Sequence, residues 1–157
     1  MKVAIFCGSR SDKPTMKISE EILNKFNIKN QTYVISAHRL PDILSHTIRE
    51  IESVKEVEVI IAGAGLSAHL PGIIASKTIL PVIGVPILDK KNGLLGGMDA
   101  LFSIVQMPKD VPVATVGINN AYNAALLSVH ILAVKYKEIK ESLLKFRKDK
   151  LFTKIEK

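Results

Sequence analysis

Three apolar runs in the first half of the chain each end in a knot of small, polar and ionisable residues. Lys2–Cys7 leads into Gly8-Ser9-Arg10-Ser11-Asp12, Gln31–Ile35 into Ser36-Ala37-His38-Arg39, and Val57–Ile61 into Ala62-Gly63-Ala64-Gly65. Short continuous apolar runs bounded by turn residues read as buried strands. Between them the period changes to that of helices. Met16, Ile22, Leu23 and Phe26 form one stripe after Asp12-Lys13-Pro14, where Asp12 is expected to cap the helix. Ile43, Leu44, Ile48 and Ile51 form another after Pro41. A short helix is expected over 68–78, a fourth strand over 81–85, a loop over 88–97 and a helix over 98–106. A fifth strand follows over 112–118, with Pro only at its edge. A long apolar helix then spans 120–136, and an amphipathic basic segment about 137–157.

Strand and helix alternate, and the strands do not alternate polar with apolar positions. That combination predicts a parallel sheet covered on both faces by helical crossovers. Five strands in 157 residues predict a single α/β domain, a flavodoxin-like three-layer sandwich around a five-stranded parallel sheet. In such a sheet the carboxyl ends of the strands share one edge, and ligands bind in the crevice there. The three knots should therefore meet. That is an enzyme's layout.

Composition sharpens this picture in two places. Apolar residues make up 47% of the chain with no Trp and few aromatics, so the core is aliphatic and part of the surface is expected to be subunit interface. The net charge of +7 raises a nucleic-acid reading, but residues 135–157 carry nine basic and four acidic side chains, most of the excess. The charge belongs to a solvated helix face, with no aromatic–basic interleaving and no nucleic-acid motif, so no nucleic-acid partner is expected. Only four of the 22 basic residues are Arg, and two of these, Arg10 and Arg39, stand in strand-end knots where a planar fork can grip phosphate. Cys7 reads as a small buried hydrophobe. The opening residues run directly into a strand without a signal-peptide pattern, and no apolar run nears membrane-spanning length. A cytoplasmic protein with no membrane partner is the expectation.

Gly8-Ser9-Arg10-Ser11-Asp12 joins a strand to a helix N-terminus, where outward amides, two hydroxyls and an arginine suit a phosphate monoester. Asp12 can cap the helix or accept from a sugar hydroxyl. A capped turn without ligand fits the same residues. In Ser36-Ala37-His38-Arg39, a histidine can both give and take a proton near neutrality while its neighbour holds a charged substrate end. A surface turn is the plainer alternative. The third knot puts small residues where substrate must approach backbone, and His69 follows at the next helix. His46 and His130 lie within helices, outside any motif, and read as structural. Zinc-type Cys/His spacing, a lysine-bearing phosphate loop and a Gly-x-Ser-x-Gly elbow are all absent from the sequence. Cofactor-free proton transfer on a phosphorylated metabolite is expected, with no metal.

Six motifs, in order, resemble the class I N5-carboxyaminoimidazole ribonucleotide mutase family of de novo purine synthesis. They are Gly8-Ser9-x-Ser11-Asp12, Ser36-Ala37-His38-Arg39, Ala62-Gly63-Ala64-Gly65, Ala68-His69-Leu70-Pro71-Gly72, Ser103-Ile104-Val105-Gln106-Met107-Pro108 and Asn123-Ala124-Ala125-Leu126-Leu127. The resemblance covers roughly residues 2–136. It implies an isomerase that moves a carboxylate from the exocyclic nitrogen to ring carbon C4 of a 5-aminoimidazole ribotide, with no cofactor. It implies a homo-octamer and allows a synthetase partner that supplies the substrate. By the same resemblance His38 is the general acid/base, and Ser9 and Arg39 hold the phosphate. Asp12 holds the ribose, and His69 lines the carboxylate pocket with the Gly-rich segment. Ser11, Ser36, Ala64, Gly65 and Leu70 complete the expected substrate-binding set. Leu66 and Ser67 depart from the family's usual Gly and Ala, and the 88–97 loop is about three residues longer than usual. Two rivals remain open: a class II carboxylase using CO2 directly, which by resemblance lacks the counterparts of Arg39 and His69, and a flavodoxin-like FMN electron carrier. The basic tail as a nucleic-acid module is a third.

Overall fold

The computed structural model describes residues 2–155 apart from Asn92 and Leu94; side chains are described to Lys150. The last two residues of the basic segment and two positions of the 88–97 loop thus lie outside the described residues. Five parallel strands form one sheet in the order β2-β1-β3-β4-β5, comprising β1 (Lys2–Cys7), β2 (Lys29–Val34), β3 (Val57–Gly65), β4 (Val82–Ile87) and β5 (Ala114–Thr115). The helices are α1 (Lys13–Lys25), α2 (Pro41–Val54), α3 (Leu70–Ala75), α4 (Met98–Val105), α5 (Ala121–Lys135) and α6 (Lys137–Ile155). A single 3-10 turn, Arg10–Asp12, links β1 to α1. Among the described residues no helix is long and apolar enough to cross a membrane.

The period of two along each strand sorts the core into two layers. Val3, Ile5 and Cys7 of β1 join Val59 and Ile61 of β3 under α1, α5 and α6. Ala4 and Phe6 join Ile60, Ala62 and Ala64 under α2, α3 and α4. The helices thus cover both faces, and the chain changes direction across the sheet between β1 and β3. Strand order 2-1-3-4-5 is the doubly wound order whose crevice opens at that junction.

Four elements differ from the sequence expectation. β3 continues through Gly65, so the Gly-rich segment is strand rather than turn. A Cβ on Gly63 would stand 2.3 Å from the Met16 sulfur and 2.9 Å from Ile87 Cδ1. The missing side chain at Gly63 lets α1 lie close on the sheet. β2 starts at Lys29 and is half open to solvent, because it is the sheet edge and needs no continuous apolar run. β5 shrinks to two residues; its neighbours still bond to β4 through Val116 N–H to the Gly84 carbonyl. Ile43 is exposed, while Leu44, Ile48 and Ile51 carry the buried face of α2.

The long apolar helix α5 finds its cover on three sides. It lies on the sheet and against α1, where the buried Ser19 hydroxyl donates to the Ala121 carbonyl over 2.7 Å. α6 adds Ile139 and Leu143, and its Phe146 ring reaches that of Phe26 at 5.3 Å. At the far end Lys135 and Tyr136 both donate to the Glu58 carboxylate of β3, and these bonds hold that carboxyl below its usual range despite desolvation.

Where α4 crosses β4, contact is as close as backbone allows. A Cβ on Gly84 would stand 2.4 Å from Ile104 Cγ2, a methyl on a stiff branched side chain. Gly84→Ala is therefore expected to lose about 1–3 kcal/mol, the usual cost of overpacking a filled core. A fall in the urea midpoint with an unchanged slope is the expected result; an unshifted midpoint contradicts this packing.

Candidate functional site

The carboxyl ends of β1 and β3 lie side by side, with Cys7 paired to Gly63 and the Gly8 N–H donating to the Gly63 carbonyl over 3.1 Å. On their other sides the ends of β2 and β4 feed the loops bearing His38 and Asp89. A cavity of about 430 Å³ opens between them. Ser9, Ser11, Asp12, Ser36, His38, Arg39, Ala64, Gly65, His69 and Leu70 all line it. Residues up to 81 positions apart in the chain, from Gly8 to Asp89, thus line one cavity. Arg10 does not line the cavity, and neither do His46 or His130. His46 instead pairs with Glu50 one turn along α2, at 3.3 Å.

The first knot is held by a directed chain of hydrogen bonds. Asp12 Oδ2 accepts both the Ser9 N–H, at 2.7 Å, and the Ser9 hydroxyl, at 2.9 Å. The Ser9 and Ser11 hydroxyl oxygens are 2.6 Å apart. A hydroxyl has one hydrogen, and an ionised carboxylate only accepts. Ser11 therefore donates to Ser9, and Ser9 to Asp12. An anion entering here must draw a hydroxyl hydrogen away from this chain, a rotation about one C–O bond. Asp12 was expected to cap α1; its carboxylate turns back to Ser9 instead and makes no cap bond. Burial pushes the Asp12 carboxyl above its ordinary value; the Ser9 bonds oppose the shift and the nearby Asp89 charge adds to it.

The second and third knots meet through their histidines. His38 Nε2 and His69 Nδ1 are 2.8 Å apart, with the rings at 88°. One of the two nitrogens carries the hydrogen and the other accepts it, so the tautomers of the pair are tied together. Both rings remain exposed to the cavity. Such a pair can take a proton at one end and release it at the other. Ser36 Oγ accepts from the Arg39 N–H at 3.4 Å, which steadies the turn that carries His38. Cys7, one residue from the cavity, is fully buried with its thiol pushed up to about 12, chiefly by burial. It is no nucleophile at neutral pH.

Five residues of the lining, Gly8, Ala37, Leu66, Ser67 and Asp89, were not among the expected site residues. Asp89 is the second residue after β4, and the strand-end rule that singled out the first three knots would have found it. Its Oδ1 accepts from the Lys91 N–H at 2.8 Å. Among the described residues no group of three or more His, Cys, Asp or Glu side chains gathers as a metal site.

The profile of AIR carboxylase matches residues 2–151. The chain belongs to the AIR carboxylase family. Within that family it is 54% identical over 148 residues to an N5-carboxyaminoimidazole ribonucleotide mutase of Pyrococcus abyssi, covering 94% of this chain and 83% of that protein. It is 51% identical to the mutase of Saccharolobus solfataricus, over 99% of this chain and 98% of that one. The Escherichia coli mutase is 47% identical over 94% of this chain and 86% of its own. A crystal structure of Treponema denticola PurE superposes with a TM-score of 0.89 at 25% identity, over 99% of this chain and 94% of that one. The family's fold is the five-stranded parallel sheet described above.

The buried carboxylate gives a pH-dependent expectation. A carboxyl whose folded pKa is raised takes up its proton at higher pH in the folded state than in the unfolded chain. Ionised Asp12 therefore costs stability above its folded pKa, and the cost vanishes below the ordinary aspartate value of 3.8. Asp12→Asn keeps an oxygen for both Ser9 bonds and has no charge. Its stability relative to wild type is expected to rise as pH goes from about 3 to 7. Urea midpoints of both proteins across that range check this; a difference that stays flat or falls contradicts it.

Proposed function

We propose that this protein is an N5-carboxyaminoimidazole ribonucleotide mutase, an isomerase that moves the carboxylate from the exocyclic nitrogen to ring carbon C4 of the ribotide in purine synthesis. The observation that carries this reading is the His38–His69 contact of 2.8 Å in a cavity also lined by Ser9, Ser11 and Asp12, in a chain 44–54% identical to named mutases. In the reaction the N–C bond of the carbamate breaks. Its electron pair stays on nitrogen, which takes up one proton, and CO2 is released in place. C4 then attacks that CO2, and the ring loses its C4 proton to a base. Atoms and charge balance without a cofactor.

In this reading His38 gives and takes the proton, and the paired His69 lines the carboxylate end with Ala64, Gly65 and Leu70. Ser9 and Arg39 hold the phosphate, the latter by its bidentate fork. Ser11 and Ser36 add donors along the ribotide, and Asp12 accepts from the ribose. Holding the ring and CO2 in one orientation, with water kept out, converts a bimolecular capture into an intramolecular one. The direct test is product formation from the carbamate ribotide, compared with the aminoimidazole ribotide plus bicarbonate. A protein that uses only the second pair is a carboxylase. His38→Asn is expected to lower turnover by about 10²–10⁴-fold while ribotide binding survives. Wild-type turnover removes His38 from the chemistry.

The proposal extends to assembly and location: a cytoplasmic homo-octamer, with a synthetase partner as the source of the carbamate. Met98, Phe102 and Val105 recur along one face of α4 and are exposed, and Ile79 is 98% exposed. A contiguous apolar stripe of this kind supports subunit contact. α5 is largely covered by the sheet, α1 and α6, so α4 carries the stronger case for subunit contact. Light scattering at micromolar concentration is expected to give an octamer mass; an active monomer contradicts it.

A further inference from the structure

β4 delivers to the cavity a carboxylate that the proposed chemistry does not use. Asp89 lines the cavity two positions after Ile87, the last residue of that strand. Its place is fixed from both neighbouring strands. β3 ends beside it at Gly65 and turns away at Leu66, whose φ is 54°. A Cβ on Gly65 would stand 3.8 Å from the Asp89 Cβ, so the two residues pack side by side. From the β5 side, Asn119 carries on a ladder that the two-residue strand leaves unfinished. Its N–H donates to the Pro86 carbonyl at 2.8 Å, and its Oδ1 accepts from the Leu88 N–H at 2.9 Å. Those are the two bonds a parallel neighbour makes on either side of Ile87, with a side-chain oxygen in place of the backbone carbonyl. Asn119 has φ 57°, a conformation that asparagine tolerates. The chain thus leaves the sheet toward Asp89 along a set path.

We propose that Asp89 and Asp12 bind the two ribose hydroxyls of the ribotide, one carboxylate to each, and that Asn119 positions Asp89 for this. The proposal rests on the mutase reading. Two carboxylates line one cavity here, and the charge of Asp89 is felt at Asp12, where it opposes ionisation. Hydrogen-bond donors placed between them relieve that repulsion. A ribotide offers few donors. Its phosphate and its carboxylate are anions, which Asp89 repels. The ring amine stands beside the carbon that receives the carboxylate, where a second negative charge opposes binding. The ribose alone offers two O–H donors on adjacent carbons. A carboxylate has about four acceptor sites, so taking the Lys91 N–H at 2.8 Å and accepting from a sugar are compatible.

The test is the affinity of the full chain for 4-carboxy-5-aminoimidazole ribotide and for its 2′-deoxy and 3′-deoxy forms, by isothermal titration. Wild type is expected to prefer the ribotide to each deoxy form by about ten- to a hundred-fold, as for hydrogen bonds to charged groups. Asp89→Asn keeps an oxygen for the Lys91 N–H and turns the other acceptor into a donor. The charge it removes acts alike on all three ligands, so the difference between them isolates the hydroxyl. This variant is expected to lose the preference over one deoxy form and to keep it over the other, which Asp12 reads. Asn119→Gly accepts the positive φ but lacks the Oδ1 acceptor, and is expected to lessen the same preference, while Asn119→Asp keeps it. Undiminished preference in Asn119→Gly removes Asn119 from the positioning. Unchanged preferences in Asp89→Asn overturn the proposal. Carboxylate transfer by a wild type that shows no hydroxyl preference leaves the mutase reading standing and overturns this one; a wild type that binds none of the three ligands refutes the mutase reading, and ribose recognition with it.

Discussion

The parallel pairing of β1 with β3 sets the position of every group at the cavity. These neighbours in the sheet are separated in the chain by β2 and two helices, so the strand order reverses between them and their ends diverge into different loops. The pairing brings Cys7 beside Gly63 and continues one bond further, from Gly8 to the Gly63 carbonyl. Beyond that bond the two chains separate, one toward Ser9 and Asp12, the other toward Leu66 and His69. A crevice is the geometric result. It needs small residues at Gly63 because α1, which starts at the crevice, must lie close enough for Met16 to touch the strand.

The walls that result differ in chemistry. The Ser11–Ser9–Asp12 chain presents hydroxyls and amides at the start of α1, and Arg39 lines the same cavity. The two imidazoles meet edge to face, and Ala64, Leu66 and Leu70 line the cavity with them. A phosphorylated sugar and a polar heterocycle match that division. The carboxylate itself must travel only between two atoms of one ring system, so the protein's task is to hold, to move a proton and to keep water out. Buried Cys7 and the helical histidines His46 and His130 are outside the cavity lining.

Much of this was legible in the sequence. β1 has the bounds its apolar run predicts, and all the strand-end polar residues of the expected site reach one cavity because topology puts carboxyl ends on one edge. What escaped notice has physical reasons. Glycines ordinarily end a strand, yet Gly63 lies inside β3, because a Cβ there would strike Met16 of α1, while at the strand's last residue a Cβ on Gly65 would strike the Ile87 carbonyl of β4. Asp89 sat in a Lys/Gly/Asn loop that read as generic. The His38–His69 contact joins residues 31 apart, and local pattern carries no sign of such a pairing. The turn at Leu66 is a tertiary fact as well: a leucine gives no hint of positive φ.

The crystal structure of this protein with the 4-carboxy-5-aminoimidazole ribotide bound tests the account most directly. The phosphate is expected within hydrogen-bond reach of Ser9 and Arg39, the ribose at Asp12, and the carboxylated edge of the imidazole against His38 and His69. A ribotide bound outside the β1/β3 crevice, or one reversed with its phosphate at the two histidines, would contradict it.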